Sequence, residues 1–182
     1  MTSSNQGDES DRELIARWRA GDSRAASSLV SRHADALARF AASSGERDDI
    51  EELVQDTFVR AFGSLDAFRG ESSLRTWLFT IERRLMLDRR RAEKRQRAMV
   101  SIEPSDATTE YDALDGLVGE EAESRVRKAV TSLSPTQREV FLLRVEQGIS
   151  YKEIAELVET TEGAARVHYH NAMRAVKEFL DE

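Results

Sequence analysis

Apolar residues recur at helical spacing in two parts of the chain, and this periodicity constrains the fold more than any other feature. From Asp11 to about Arg97 they lie three and four residues apart, and the same spacing returns over residues 120–182. Pro104 and Pro135, the two prolines, lie outside the strongest periodic runs. Because no two-residue alternation is convincing, the sequence predicts an all-α protein with two small helical domains.

The segment between the two periodic parts differs from them in composition and in charge. Residues 98–123 carry eight acidic side chains and no basic one, whereas residues 69–97 carry ten basic and four acidic ones. The net charge of −7 therefore conceals a basic block directly beside an acidic one. We expect four segments along the chain: a disordered tail (1–10), a helical domain (11–97), a flexible acidic linker (98–122) and a second helical domain (123–182).

The basic block coincides with a predicted long helix over residues 75–97, preceded by a loop over residues 69–73. Arginine and lysine at this density are typical of a surface that contacts phosphates. Phe68 and Trp77 lie near the loop, and aromatic rings beside a basic surface can stack on unpaired bases. The alternative is that Trp77 and Phe62 belong to the core and that the arginine run is a solvated helix end.

The C-terminal part has the pattern of a helix-turn-helix. Ser150 can cap a short helix, and Glu153 stands at the spacing of a capping box. A turn at Glu159–Thr161 then leads to a second helix from about Glu162, capped by Thr160 or Thr161. In this motif the start of the second helix enters the major groove of DNA. The alternative is an ordinary helical hairpin packed in a core.

Several motifs follow one another in a specific order. They are Glu52–Phe58 (E-L-V-Q-D-T-F), Leu65–Gly70 (L-D-A-F-R-G), Trp77–Ile81 (W-L-F-T-I), Leu133–Arg144 (L-S-P-T-Q-R-E-V-F-L-L-R) and Gly148–Ala155 (G-I-S-Y-K-E-I-A). In this order they resemble the extracytoplasmic-function (ECF) sigma factors of the sigma-70 family, over roughly residues 11–97 and 123–180. The resemblance implies that the first domain is region 2 and the second is region 4 of a factor that directs promoter-specific transcription initiation.

The resemblance also implies three sets of site residues. The residues that would bind core RNA polymerase are Asp49, Glu52, Gln55, Asp56 and Phe58. Those that would recognise and melt the −10 element are Phe68, Arg69, Gly70, Arg75, Trp77, Arg83, Arg84, Arg90 and Arg91. Those that would contact the −35 element are Lys152, Thr161, Glu162, Arg166, His168, His170 and Arg174. The helical pattern itself assigns Phe58 to the core and leaves Gln55 and Asp56 facing solvent.

The implied partners are core RNA polymerase, promoter DNA and an anti-sigma factor, and no cofactor is implied. The acidic linker would enter the RNA exit path, where its charge would mimic RNA. Two departures from the family bear on promoter choice. Arg84 stands where the family usually has Asn, and Gly163–His168 (G-A-A-R-V-H) replaces a segment that often carries hydroxyl side chains. Promoter sequence and inducing signal therefore do not carry over.

The composition excludes several classes of protein and site. The chain has no cysteine, so disulfides and thiolate metal sites are excluded. No apolar run approaches the roughly 20 residues that span a bilayer, and the polar N-terminus is unlike a signal peptide. We therefore expect a cytoplasmic protein without membrane insertion.

Sequence patterns typical of an enzyme are missing as well. His168 and His170 lie about 200° apart around a helix, so they cannot share a metal ion on one face. No glycine-rich phosphate loop or H-E-x-x-H motif occurs. We expect no catalytic activity. Two other hypotheses remain: a stand-alone helix-turn-helix regulator that binds DNA as a dimer, and a helical interaction protein that has lost DNA binding. The Gln55 and Asp56 motif argues against the regulator, which needs no polymerase-docking helix.

The domain boundaries predict the pattern of limited proteolysis. Loss of periodicity and concentrated negative charge should leave the backbone between Met99 and Gly119 open to a protease. We expect the first cuts in that segment, followed by two resistant fragments on a gel. Early cuts inside either helical domain, with the segment protected, would contradict the boundaries.

Overall fold

The computed structural model describes residues 3–46, 49–99 and 120–181, and within these residues it contains helices and no strand. The chain divides into two compact units, residues 1–90 and 91–182. The elements in order are α1 (Ser3–Arg19), α2 (Ser23–Ser43), α3 (Ile50–Gly63), a 3₁₀ helix (Leu65–Ala67), α4 (Leu74–Met99), α5 (Glu120–Ser132), α6 (Pro135–Val145), α7 (Tyr151–Leu157) and α8 (Glu162–Asp181). The all-α prediction is confirmed.

Helices extend past three of the predicted domain boundaries. The backbone of α1 is helical from Ser3, where a disordered tail was expected. A helix that has already nucleated adds a hydrogen bond for each further residue, so it can continue into a segment whose own composition does not favour it. For the same reason α4 reaches Met99 and α5 begins at Glu120, inside the predicted linker. The rest of the linker, residues 100–119, lies outside the described residues.

A buried acidic group joins α1 to α2. Asp11 is 4% exposed, and its carboxylate accepts from Arg32 at 2.6 Å and lies 2.9 Å from Nε2 of His33. Burial by itself raises the pKa of Asp11, but its hydrogen bonds and the charges of His33 and Arg32 outweigh that effect and lower it. Between the helices, Gly21 adopts a left-handed φ of 93° and Asp22 caps α2 through a 3.0 Å bond from the Arg24 amide.

The core of the first unit lies where α2, α3 and α4 meet. Phe40 of α2 and Phe79 of α4 are both fully buried and pack edge to face, with ring centroids 5.1 Å apart. This geometry adds about 0.5–1.5 kcal/mol to the stabilisation from burial. The other fully buried large apolar side chains of this unit are Leu29, Leu37, Leu53, Leu65, Leu78 and Met86. Burial of this stripe leaves the opposite faces of α3 and α4 exposed.

The second unit packs α5, α6 and α7 against the long α8. Ser134 and Ser150 begin α6 and α7 with complete capping boxes, as predicted for Ser150. Val140, Leu143, Ile154, Ala165 and Ala172 are fully buried between the helices. The small side chain of Ala155, 5% exposed, also lies in this core.

One core position of the first unit holds a carboxyl group. Glu82 of α4 is 0% exposed, and neither of its side-chain oxygens has a hydrogen-bond partner in the structure. Burial, with a smaller contribution from the negative charge of Glu46, raises the pKa of Glu82 to about 9. At neutral pH the folded chain therefore keeps this group protonated and uncharged.

This arrangement predicts that the stability of the chain falls as pH rises. Between the unfolded pKa of 4.5 and the folded value of about 9, the folded state holds a proton that the unfolded state has released. The free energy of unfolding should then fall by up to about 1.4 kcal/mol per pH unit. Glu82→Gln should lose this slope, so it should gain stability relative to the native chain from pH 5.5 to pH 8.5.

Urea unfolding at a series of pH values measures both slopes. Glu13→Gln, at an exposed position of α1, serves as the control and should keep the native slope. Parallel pH profiles for the native chain and Glu82→Gln would contradict the assignment of a buried neutral carboxyl.

Candidate functional site

The exposed face of α3 carries the polar residues predicted to bind polymerase. Glu52 and Gln55 are exposed, and Asp49 precedes the helix in an exposed left-handed conformation with φ of 56°. Leu53 and Val54, on the other side of the helix, are buried. The side chains of Glu52 and Gln55 are therefore directed to solvent by a helix that is anchored through its opposite face.

Phe58 lies in the core, as the helical pattern predicts, and not on the exposed face of α3. Its side chain is 5% exposed and stacks on Phe62, with ring centroids 5.9 Å apart. Phe62 in turn stacks on Trp18 of α1 at 5.4 Å. Phe58 therefore holds α3 in place and is not available to a partner.

Asp56 is also less available than predicted, because Arg89 of α4 holds it. The Nη2 atom of Arg89 lies 3.3 Å from the Asp56 carboxylate, and its Nη1 donates to the Asp49 carbonyl at 3.5 Å. The Asp56 side chain is 47% exposed, so the pair lies at the surface. Both residues predicted to face solvent lie at the surface. Gln55 is exposed, whereas Asp56 is half-exposed and ion-paired with Arg89.

The loop between the 3₁₀ helix and α4 places Phe68 beside Trp77. Both side chains are half-buried, and their ring centroids lie 5.1 Å apart. Gly70 has a φ of 73°, a conformation that favours glycine, and it turns the chain towards α4. Ser73 caps α4 by accepting from the Thr76 amide at 3.1 Å. The loop therefore has a defined shape.

A small cavity lies beneath this loop. Its volume is about 10 Å³, and its lining includes Asp11, Ile15, Phe68, Ser73 and Leu74. This space holds roughly one water molecule. A nucleobase could enter it only if the Phe68 side chain moved away.

The basic side chains of α4 and of the preceding loop differ in their exposure. Arg84 and Arg91 are exposed, as is Arg69 in the preceding loop. Arg83 is half-buried. Arg75 is also half-buried, lies 5.8 Å from the centre of the Phe79 ring, and has its pKa lowered by burial and by the nearby charge of Arg39.

Arg90 is exposed, with 43% of its side chain accessible, and it is also bound to the end of α2. Its Nη2 lies 2.7 Å from the Glu46 carboxylate and donates to the Ser44 carbonyl at 2.9 Å. Ser44 is the C-terminal cap residue of α2. A guanidinium at the end of a helix satisfies a carbonyl that has no partner within the helix. Arg90 therefore fastens α4 to the end of α2.

The helix-turn-helix is formed by α7, a turn at residues 158–161, and α8. The turn includes Glu159 with a left-handed φ of 59°, and the Thr160 amide donates to the Ala155 carbonyl at 2.8 Å. The Thr161 hydroxyl caps α8 by accepting from the Ala164 amide at 3.1 Å. The side chains left exposed among those predicted to contact DNA are Lys152, Thr161, Glu162, Arg166, His170 and Arg174, whereas His168 is half-buried.

Arg166 is the most strongly oriented of these side chains. It donates to Glu162 at 2.6 Å, one turn earlier on α8, and its guanidinium carbon lies 4.7 Å from the centre of the Tyr151 ring. A second guanidinium, that of Arg144, lies 4.7 Å from the same ring centre.

The sequence pattern did not predict three residues that contact members of the proposed sites. Arg89 and Glu46 orient or fix members of the predicted sets, and Tyr151 contacts Arg166. Each contacts a residue on a different structural element, so the helical periodicity of the sequence gives no signal for it. Only the position of Arg89 in an arginine run could have drawn attention to it.

Searches for metal and membrane sites gave no candidate in the described parts of the chain. No cluster of three or more His, Cys, Asp or Glu side chains there could hold a metal ion. None of the helices in those parts is both long and apolar enough to cross a bilayer.

Comparison with known proteins places both units in one family. The model of sigma-70 region 2 matches residues 29–96, and the model of sigma-70 region 4 matches residues 123–176. The first match contains α3, the loop and most of α4, and the second contains the helix-turn-helix.

Curated relatives match over most of the chain. The RNA polymerase sigma factor YlaC of Bacillus subtilis is 33% identical over 129 residues, which cover 70% of this chain and 75% of that protein. The ECF RNA polymerase sigma-E factor of Haemophilus influenzae is 28% identical over 176 residues, 92% of this chain and 93% of that protein.

Solved structures give the same result. CnrH, solved in complex with the cytosolic domain of CnrY, has a TM-score of 0.69 and 30% identity, and the match covers 94% of this chain and 97% of that one. RpoE of Bartonella quintana, solved with the anti-sigma factor NepR, has a TM-score of 0.68 and 28% identity over 85% of this chain and 96% of that one. The chain therefore belongs to the ECF group of the sigma-70 family, the sigma factors of RNA polymerase, which direct promoter-specific transcription initiation.

Proposed function

We propose that the chain binds core RNA polymerase through the exposed face of α3, melts the −10 element with the Phe68 loop and α4, and recognises the −35 element with α7 and α8. The main support for this proposal is that the family motifs coincide with exposed surface. Within each region matched by a sigma-70 model, polar residues implied by the family remain exposed on helices whose other faces form the core.

The polymerase surface rests on Glu52 and Gln55, because their exposed side chains are not used by the core. Asp56 joins this surface by exchanging Arg89 for a partner on polymerase. An ion pair at the protein surface contributes about 0–1 kcal/mol, so the exchange costs little. Phe58 acts from the core by fixing the position of α3.

The −10 surface combines an aromatic pair with exposed cations. Phe68 can leave Trp77 and the small cavity beneath the loop, and a base can then stack in its place or on its ring. In this proposal Arg69, Arg84, Arg90 and Arg91 serve as phosphate or base contacts, and Arg90 also holds α4 to the end of α2. Domain boundaries at residues 11–97, 98–122 and 123–182 are part of this proposal.

The −35 surface is the exposed N-terminal part of α8. Glu162 and Arg166 lie there, and both side-chain types can bond to base edges in the major groove. Lys152, His170 and Arg174 are placed to contact phosphates, and half-buried His168 contributes at the edge. The Thr161 hydroxyl caps α8, and this hydrogen bond stabilises the start of the helix.

Regulation and location follow from the same role. The solved relatives are bound to the anti-sigma factor NepR and to the cytosolic domain of CnrY, and we propose an anti-sigma partner for this chain as well. The chain would act in the cytoplasm, where bacterial polymerase transcribes. Its role is regulatory, and we assign it no catalysis.

The polymerase surface can be tested by charge reversal. Glu52→Lys should lower affinity for core RNA polymerase at least tenfold, since the exposed carboxylate is lost and a like-charge contact can replace it. Its thermal melt should be unchanged, because Glu52 is exposed. Binding of the labelled full chain to purified core polymerase measures the effect.

Asp35→Lys on α2 is the matched control, because it makes the same charge change at another exposed helical position. It should bind core polymerase as the native chain does. Equal affinities for Glu52→Lys and the native chain would remove α3 from the interface.

The −10 surface can be tested at Phe68. Stacking of a base on an aromatic ring contributes about 1–3 kcal/mol, which is a factor of about 5 to 160 in an equilibrium constant. Phe68→Ala should reduce open-complex formation within that range and leave polymerase binding intact, as measured by permanganate footprinting of the melted strand. Arg84→Ala should instead change preference at one −10 position more than it changes overall affinity.

The control for loop integrity is Phe68→Tyr, which retains the ring and should melt promoters normally. Normal melting in Phe68→Ala together with normal base preference in Arg84→Ala would show that the loop captures no base.

A further inference from the structure

The ring of Tyr151 brings together two guanidinium groups from different helices. The guanidinium carbons of Arg144 on α6 and Arg166 on α8 each lie 4.7 Å from the ring centre. Tyr151 is half-buried at the first position of α7, and its own ring packs edge to face on Tyr169 at 5.7 Å. The ring is therefore fixed by the fold and can serve as a platform for a cation.

The two arginines differ in what else they contact. Arg144 donates to the Ile149 carbonyl at 3.0 Å, just before the cap of α7, so it is tied to the scaffold. Arg166 is exposed, and its other partner is the Glu162 carboxylate at 2.6 Å. Glu162 opens α8, so both contacts of Arg166 lie at the end of the helix that the motif directs at DNA.

A long arginine side chain has many rotamers in water, and binding a base edge with both nitrogen atoms requires one of them. Contact of the Arg166 guanidinium with a ring face and with a carboxylate removes most of this rotamer freedom before DNA binds. Preorganisation of this kind raises affinity for the correct base without adding a contact to the phosphates.

We infer that Tyr151 is a specificity-positioning residue, which with Glu162 holds Arg166 in the orientation that recognises one base pair of the −35 element. The inference rests on the proposed recognition of that element by α8. It assigns Tyr151 no contact with DNA, since its effect passes through Arg166.

Two substitutions at Tyr151 separate the role of the ring from that of the hydroxyl. Tyr151→Phe keeps the aromatic face, so preference should be retained. Tyr151→Leu keeps apolar bulk and removes the face, so discrimination at one position should fall about two- to fivefold, the factor expected for an exposed cation–π contact. The full chain with core polymerase is tested on promoter duplexes randomised over the −35 region, and bound sequences are counted.

Three further measurements exclude a merely structural effect. The slope of log affinity against log salt should stay unchanged in Tyr151→Leu, because phosphate contacts are retained. Arg166→Ala should lose preference at the same base pair, and adding Tyr151→Leu to it should change nothing more. The thermal melt of each variant should show a folded second unit.

The outcomes distinguish the inference from the function on which it rests. If the native chain shows no −35 preference, both are wrong. If preference is lost in Arg166→Ala but retained in Tyr151→Leu, recognition by α8 stands and the inference is overturned. An equal loss of affinity for all sequences in Tyr151→Leu would also overturn it, because that pattern indicates a structural role.

Discussion

Packing of α4 against α2, centred on Phe40 and Phe79, determines where the working surfaces of the first unit can lie. Once Leu78, Phe79 and Met86 are buried, the helical period places Arg84 at the surface of the same helix. It also places Glu82 inside, where a carboxyl group persists by keeping its proton. The position of Arg84, which we propose contacts the −10 element, thus follows from burial of the opposite face of α4.

Ion pairs at the edges of this core connect stability with function. Arg90 fastens α4 to Glu46 and the end of α2, while Arg89 reaches Asp56 on α3. Such pairs are weak at a surface, so a partner protein can exchange them at low cost. The arginine run is therefore mixed: Arg89 and Arg90 form ion pairs with neighbouring segments, and Arg84 and Arg91 lie at the surface.

Much of this architecture could be predicted from the sequence, because helix type, breaks and caps are local properties. Ser150 and Thr161 stand where the pattern predicts a helix cap, and the family motifs locate the exposed face of α3. The unpredicted features are contacts between helices. Periodicity assigns Phe58 to the core, but no spacing reveals that Arg89 meets Asp56 or that Tyr151 meets Arg166. The helical segment at residues 3–10 was missed because local composition does not report propagation from a neighbouring helix.

As a sigma factor, this chain should select the sites at which core polymerase starts transcription. Purified core polymerase can be supplied with fragmented bacterial genomic DNA, with and without the full chain, and the 5′ ends of the transcripts sequenced. We expect a set of ends that requires the chain, each preceded by the same two sequence elements at the −10 and −35 positions with a constant spacing between them. An identical set of ends in both reactions, with the chain folded and bound to polymerase, would contradict it.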